Sequence, residues 1–151
     1  MRISNKGEYA LKAILYLSYH YQDRSVIPLT SISRRQDIPL KFLEQIMLIL
    51  KKAGYVESKR GIKGGFFLLK SPQEVTLGDI IRLMEGQIGP VLNGRNGSYS
   101  GYYQEEEYAI REVWMKVTGA VSKIIDSVTF SHIMRRADEL REQKVGYTYQ
   151  I

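Results

Sequence analysis

The 151-residue sequence predicts an α+β, mostly helical fold, on three observations. Leu29 to Asp37 and Leu40 to Ala53 have the pattern of two helices joined by a tight turn. A basic, glycine-rich tip, Lys59-Arg60-Gly61-Ile62-Lys63-Gly64-Gly65, separates two short runs of strand-forming residues. Beyond Glu105, apolar residues recur in alternating steps of four and three, as along a long helix with a heptad seam. Together these predict a winged helix-turn-helix unit followed by a long dimerisation helix.

In chain order, Asn5 is the expected cap of the first helix, with Glu8 three residues on. Tyr9, Ala10, Ala13, Ile14, Leu17 and Tyr21 follow at helical spacing, and this helix is expected to pack under the next two. Asp23-Arg24-Ser25 is a turn, and Val26-Ile27-Pro28 is an extended piece available to pair with the hairpin. In Leu29 to Asp37, Leu29 and Ile32 face inward while Arg34 and Arg35 face out. Ile38-Pro39 starts the next helix, because proline suits a first helical turn, where its missing N–H costs nothing. Gly54 ends it, where the backbone needs a left-handed residue.

On a wheel of about 100° per residue, Phe42, Leu43, Ile46, Met47, Ile49, Leu50 and Ala53 share one side of that second helix. Lys41, Glu44, Gln45, Leu48, Lys51 and Lys52 share the other. Tyr55 to Ser58 and Phe66 to Leu69 are the hairpin strands. Ser71-Pro72 breaks the second strand, Thr76 caps a helix over Leu77 to Glu85 with an inner face of Ile80, Ile81 and Met84, and Gly86 stops it.

Gln87 to Tyr103, rich in Gly, Asn and Tyr, has no periodicity and is expected to be a long flexible loop, in which tyrosines 99, 102 and 103 could line a cleft. Glu105-Glu106-Glu107 opens the long helix, at the end where negative charge suits the dipole. Its seam is Ile110, Trp114, Val117, Val121, Ile124 and Val128, widened by Val113, Ala120 and Ile125. A seam this wide needs another surface: a second copy is expected, the alternative being the chain's own first helix. Ser131 to Lys144 is a more polar last helix, and residues 145–151 an exposed tail. The expected division is 1–86 as DNA-binding domain, 87–104 as loop, 105–144 as dimerisation helices and 145–151 as tail.

Charge is unevenly placed. Residues 1–70 hold 13 Lys and Arg against 5 Asp and Glu, whereas residues 71–151 hold 9 against 11. The basic half is the half with the helix–turn–helix pattern, which suggests a polyanion partner for it. In that plan the second helix enters the major groove and the hairpin tip meets phosphates or the neighbouring minor groove. Arg34, Lys51, Lys52, Lys59 and Lys63 supply phosphate attraction. Arg35 and Lys6, the latter at the amino end of the first helix, are further candidates that could equally be solvated. The alternative is an ordinary α+β core with a solvated charged face. The chain has no cysteine, which excludes disulfides, cysteine nucleophiles and thiolate metal sites within it. Without paired histidines or a phosphate-binding glycine loop of the usual spacing, an enzyme is not expected. No apolar run approaches the roughly 20 residues of a membrane span, and the start lacks a signal-peptide core, so a cytoplasmic protein with no membrane partner is expected.

Ile3-Ser4-x-Lys6-Gly7-x-Tyr9-Ala10, Ile32-Ser33, Leu43-Glu44-Gln45, Leu50-x-x-Ala53-Gly54, Arg60-Gly61 with Gly64-Gly65, and Gly78-Asp79-Ile80-Ile81 together resemble the Rrf2 family of bacterial winged-helix transcription regulators. The likeness runs to about Gly86, and the long helix with Trp114 sits where the family has its dimerisation helix. It implies a homodimer on a roughly palindromic double-stranded DNA operator. It implies base reading from the amino end of the second helix, here Lys41 and Glu44, with Gln45 beside them. Glu44 can accept from a cytosine amino group, Lys41 can donate to guanine or phosphate, and Leu48 can meet a thymine methyl. Arg60, followed by Gly61, matches a wing arginine that enters the minor groove.

Many members hold an iron–sulfur cluster on three cysteines in the loop before the long helix, and this chain has none there. Its two histidines, His20 and His132, lie outside the loop. Cluster sensing is therefore rejected and no cofactor is expected. Arg111-Glu112-Val113-Trp114, Ile125 to Thr129 and the terminal isoleucine resemble a cluster-free branch that represses cysteine metabolism. That likeness implies a tail, Tyr149-Gln150-Ile151, able to enter the active site of cysteine synthase, with the terminal carboxylate standing in for that of a substrate amino acid. The second function class is thus a protein-interaction module that binds a metabolic enzyme. A shape-specific RNA binder is a third.

Overall fold

The structure, a computed structural model, describes residues 3–87 and 104–148. Six helices and one hairpin follow in order: α1 Asn5–Tyr19, α2 Leu29–Gln36, α3 Leu40–Lys52, β1 Val56–Lys59, β2 Gly65–Leu68, α4 Leu77–Glu85, α5 Gln104–Ser127 and α6 Phe130–Thr148. Helices α1 to α4 enclose a core of Ala10, Ala13, Ile14, Leu17, Ile32, Leu43, Ile46, Met47, Leu50 and Ile80, closed from the far end of the chain by Phe130.

Ser4, not Asn5, caps α1: its hydroxyl accepts from the Gly7 N–H at 3.2 Å. The reason lies 81 residues away. The Ser4 N–H and hydroxyl both donate to the Glu85 carboxylate at the end of α4, at 3.1 and 2.5 Å, which holds Ser4 in the capping position. Gly7 leaves space for that carboxylate, since a Cβ there would lie 2.3 Å from its oxygen.

Helix α2 stops at Gln36 because Asp37 takes a left-handed conformation at φ +52°. Pro39 is the cap of α3 rather than its first residue, and Gly54 follows the helix at φ +77°. Leu43, Ile46, Met47 and Leu50 are buried, as the wheel requires. Phe42 departs from it. The ring is 55% exposed and meets Tyr9 edge-on at 6.4 Å, because Phe42 lies at the margin of the apolar arc and not at its centre.

The strands pair antiparallel with Val56 opposite Leu68 and Lys59 opposite Gly65, each one residue nearer the tip than expected. The Leu69 N–H still donates to the Tyr55 carbonyl at 2.9 Å, so the ladder reaches the expected outer pair, and a third segment joins it. Ile27 and Phe66 exchange two backbone hydrogen bonds of 2.8 Å, so the piece before α2 does pair with the hairpin. Gly65 permits this approach, since its Cβ would stand 2.2 Å from the Ile27 carbonyl oxygen. Helix α4 matches its expected bounds, with the Thr76 and Asp79 side chains satisfying each other's backbone N–H groups in a capping box.

Helix α5, about 36 Å long at 1.5 Å per residue, is held at its carboxyl end. There the Leu77 N–H donates to the Val128 carbonyl at 2.8 Å, and Arg82 pairs with Asp126. The chain then turns at Thr129, buries Phe130 and returns as α6 along α1, where the Tyr19 hydroxyl meets Asp138 and Arg141. It is therefore α6, not the long helix, that covers α1. Helix α6 runs on to Thr148, so residues 145–148 are helical and not an extended tail. Once a helix is nucleated each further residue adds a hydrogen bond, and nothing at Val145 or Gly146 breaks the run as proline would. The expected loop residues 88–103 and the tail residues Tyr149, Gln150 and Ile151 lie outside the described residues. Among those described, no helix is long and apolar enough to cross a membrane.

Candidate nucleic-acid interface

The two faces of α3 set up the site. With Leu43, Ile46, Met47 and Leu50 locked into the core, the opposite side must face out, and Lys41, Glu44, Gln45, Leu48 and Lys52 are all exposed. Leu48 is 66% exposed, an apolar group among charges with no intramolecular reason to be there. At the amino end Pro39 offers no side-chain cap, so the first-turn N–H groups remain available to an anion.

Lys51 plays a part that helical spacing did not show. Its ammonium donates to the Ser58 hydroxyl and pairs with the Glu57 carboxylate at 2.9 Å, tying the last turn of α3 to β1. The Ser58 N–H at 2.8 Å and then the Lys51 ammonium hold the Glu57 carboxyl below its ordinary range. Lys51 thus orients the wing relative to α3, and its charge is already partly answered within the chain.

The wing tip is built by glycine. Gly61 has φ +113°, and the Gly64 N–H donates to the Gly61 carbonyl at 2.9 Å. A Cβ at Gly64 would lie 2.4 Å from the Lys59 carbonyl oxygen, so the turn closes too tightly for a side chain. Lys59, Arg60, Gly61 and Lys63 are exposed on it. So is Ile62, which charge-based reasoning passed over and which only its place in the turn brings forward.

Arg34 and Arg35 are exposed in the last turn of α2, where cations also complement the helix dipole. Lys6 is exposed in the first turn of α1. The amino end of that helix already carries the Glu85 carboxylate, so Lys6, and not the helix end, is what α1 could offer a phosphate.

The seam residues lie apart from this surface, on α5. Ile110, Trp114, Val117 and Ile124 are 57, 44, 45 and 64% exposed, while Val121 and Val128 are half-buried and Ile125 turns into the core. Val113 and Met115, at 60 and 69%, extend the exposed apolar strip. From Glu105 to Ala120 no residue is buried within the single chain.

The sequence pattern of a family described as "Rrf2: Iron-dependent Transcriptional regulator" matches residues 3–136. The HTH-type transcriptional regulator CymR of Bacillus subtilis (strain 168) is 34% identical over 147 residues, covering 97% of this chain and 99% of the relative. The HTH-type transcriptional regulator IscR of Serratia proteamaculans (strain 568) is 31% identical over 141 residues, covering 93% and 83%. Among solved structures, T. potens IscR superposes with a TM-score of 0.74 at 31% identity, covering 93% of this chain and 90% of the other. CymR (YrzC), the global cysteine regulator of B. subtilis, superposes with a TM-score of 0.74 at 32% identity, covering 90% and 98%. The donor set here does not fit the iron in that family description as a thiolate-held cluster, because the chain contains no cysteine. Among the described residues, no three His, Asp or Glu side chains come together to hold a metal ion.

Proposed function

The chain belongs to the Rrf2 family of transcriptional regulators, and on that premise we propose that it is a homodimeric, sequence-specific DNA-binding repressor working without an iron–sulfur cluster. The observation that carries this reading is α3, whose buried face fixes an outward face of Lys41, Glu44, Gln45, Leu48 and Lys52 and whose last turn is bonded through Lys51 to a cation-tipped wing. Residues 1–86 bind the operator, and the helices from 105 to 144 pair two copies through the seam. Lys41, Glu44 and Gln45 read base edges in the major groove, with Leu48 on a thymine methyl. Arg34, Arg35, Lys52, Lys59, Lys63 and Lys6 meet phosphates, Arg60 with Gly61 enters the minor groove, and Lys51 sets the wing. Such a protein acts on the chromosome, in the cytoplasm.

Selection of bound sequences from a random duplex pool at physiological salt is expected to enrich a palindrome. Glu44→Ala is expected to lose about 1–3 kcal/mol of discrimination at one position of each half-site while keeping the salt dependence of the parent, since no phosphate contact is removed. No enrichment by the parent protein defeats the reading. An unchanged base preference in Glu44→Ala removes the role given to that residue alone.

A link to cysteine metabolism is supported by the likeness to a protein described as a global cysteine regulator. With it comes a second reading, in which Tyr149, Gln150 and Ile151 bind cysteine synthase. Removing Ile151 is expected to abolish co-elution with that enzyme; retention of the complex would rule out the tail as the contact, and failure of the parent chain to co-elute would rule the partnership out.

A further inference from the structure

The wing tip carries one side chain that phosphate attraction does not explain. Ile62 is fully exposed, at 106%, between Gly61 and Lys63. Exposed tips are ordinarily filled by Gly, Asn, Asp, Ser or Pro, each for its turn chemistry, and a β-branched apolar residue contributes nothing to such a turn. Nor is the side chain free to fold back. The Gly64 to Gly61 hydrogen bond of 2.9 Å and the lack of room for a Cβ at Gly64 close the turn beneath it. The base of the hairpin is held on both sides, by the paired 2.8 Å bonds between Ile27 and Phe66 and by Lys51 on Ser58 and Glu57. The result is a short, stiff projection with an apolar point.

Lys59, Arg60 and Lys63, all exposed, flank that point in the sequence of the turn. They draw the tip toward phosphates, but isoleucine gains nothing from a phosphate and has no hydrogen bond to offer a base edge. What suits it is the slot between the phosphate rows, where apolar side chains wedge between base steps, partly unstack them and kink the duplex. The cost of opening a step depends on sequence and is least at flexible pyrimidine–purine steps.

We propose that Ile62, fully exposed on a closed glycine turn and flanked in sequence by Lys59, Arg60 and Lys63, is a minor-groove wedge that bends the operator and selects a deformable step beside each half-site. The proposal rests on the DNA-binding role of the wing given above. The chemistry of recognition is shape rather than hydrogen bonding, so the residue sets sequence preference at a position it cannot read directly.

The test uses the full-length protein and its Ile62→Ala and Ile62→Met variants on operators selected by the parent. Thermal stability is expected to be the same in all three, because the side chain touches nothing in the fold. The parent and Ile62→Met are expected to bend the duplex in circular-permutation electrophoresis and to prefer a pyrimidine–purine step at the flank. Ile62→Ala is expected to lose the bend and that preference, and to bind such operators about tenfold more weakly, the scale of one unfavourable base pair. Its salt slope is expected to be unchanged, since all cations remain. Equal bending and step preference in Ile62→Ala overturns the wedge even if repression in cells is lost, an outcome that would point to a protein contact instead. Failure of the parent to select any operator overturns the DNA-binding reading and the wedge with it.

Discussion

Replacing Val117 and Ile124 together by glutamate is expected to give a folded monomer whose affinity for a full palindrome is lower by about two to four orders of magnitude. The two positions are one heptad apart on α5, and both side chains stand exposed in the single chain, at 45 and 64%. A carboxylate at either is therefore solvated in the monomer and breaks no contact of the fold. In a paired seam the same carboxylates would be taken out of water beside their symmetry mates, at a cost of several kcal/mol for each ion. Loss of the pair unlinks the two half-sites, and each unit then binds without the high effective concentration that its tethered neighbour provides. Sedimentation equilibrium should show a mass near the 17.4 kDa of one chain. Affinity for an isolated half-site should match that of the parent monomer unit. A variant that remains dimeric would show that α5 is not the pairing surface, and a monomer that keeps the parent's affinity for the palindrome would show that pairing does not link the half-sites.

Phe130→Ala is expected to cost about 3–5 kcal/mol of folding stability, the range for emptying a large aromatic site in a core. Phe130 is 1% exposed and sits where the chain turns from α5 into α6. Its N–H donates to the Val75 carbonyl at 3.0 Å, the next N–H reaches the Pro72 carbonyl at 3.0 Å, and Thr129 bridges Thr76. The ring thus plugs the core formed by the first 84 residues with a side chain from the other half. Its loss also loosens α6, which is otherwise held by Ile133 against the core and by polar contacts at Tyr19. Thermal unfolding followed by circular dichroism should show a midpoint lower by on the order of 10 °C. Trp114→Ala, at a residue 44% exposed, should leave the monomer's stability nearly unchanged. A fall of less than about 1 kcal/mol in Phe130→Ala would mean that the two halves are joined mainly by their backbone hydrogen bonds.

Local chemistry was legible from the residues alone. The capping box of Thr76 and Asp79, the left-handed Gly54 and the split of α3 into an apolar and a polar face depend on neighbours three or four residues away. Periodicity and turn preference encode such neighbours directly, and with them the winged-helix plan, the basic half and the apolar strip of α5.

What the amino-acid order did not disclose depends on groups distant in the chain. Ser4 outcompetes Asn5 as a cap because Glu85 reaches it. Lys51 is drawn to Glu57 and Ser58, Phe42 is left at the edge of its arc, and α6 rather than α5 settles on α1. Ile62 belongs with these, since a lone isoleucine among lysines has no meaning until a closed turn holds it in water. Helices and turns follow from short-range sterics and hydrogen bonding, whereas the choice of partner among chemically similar groups is decided only when packing brings one of them within reach.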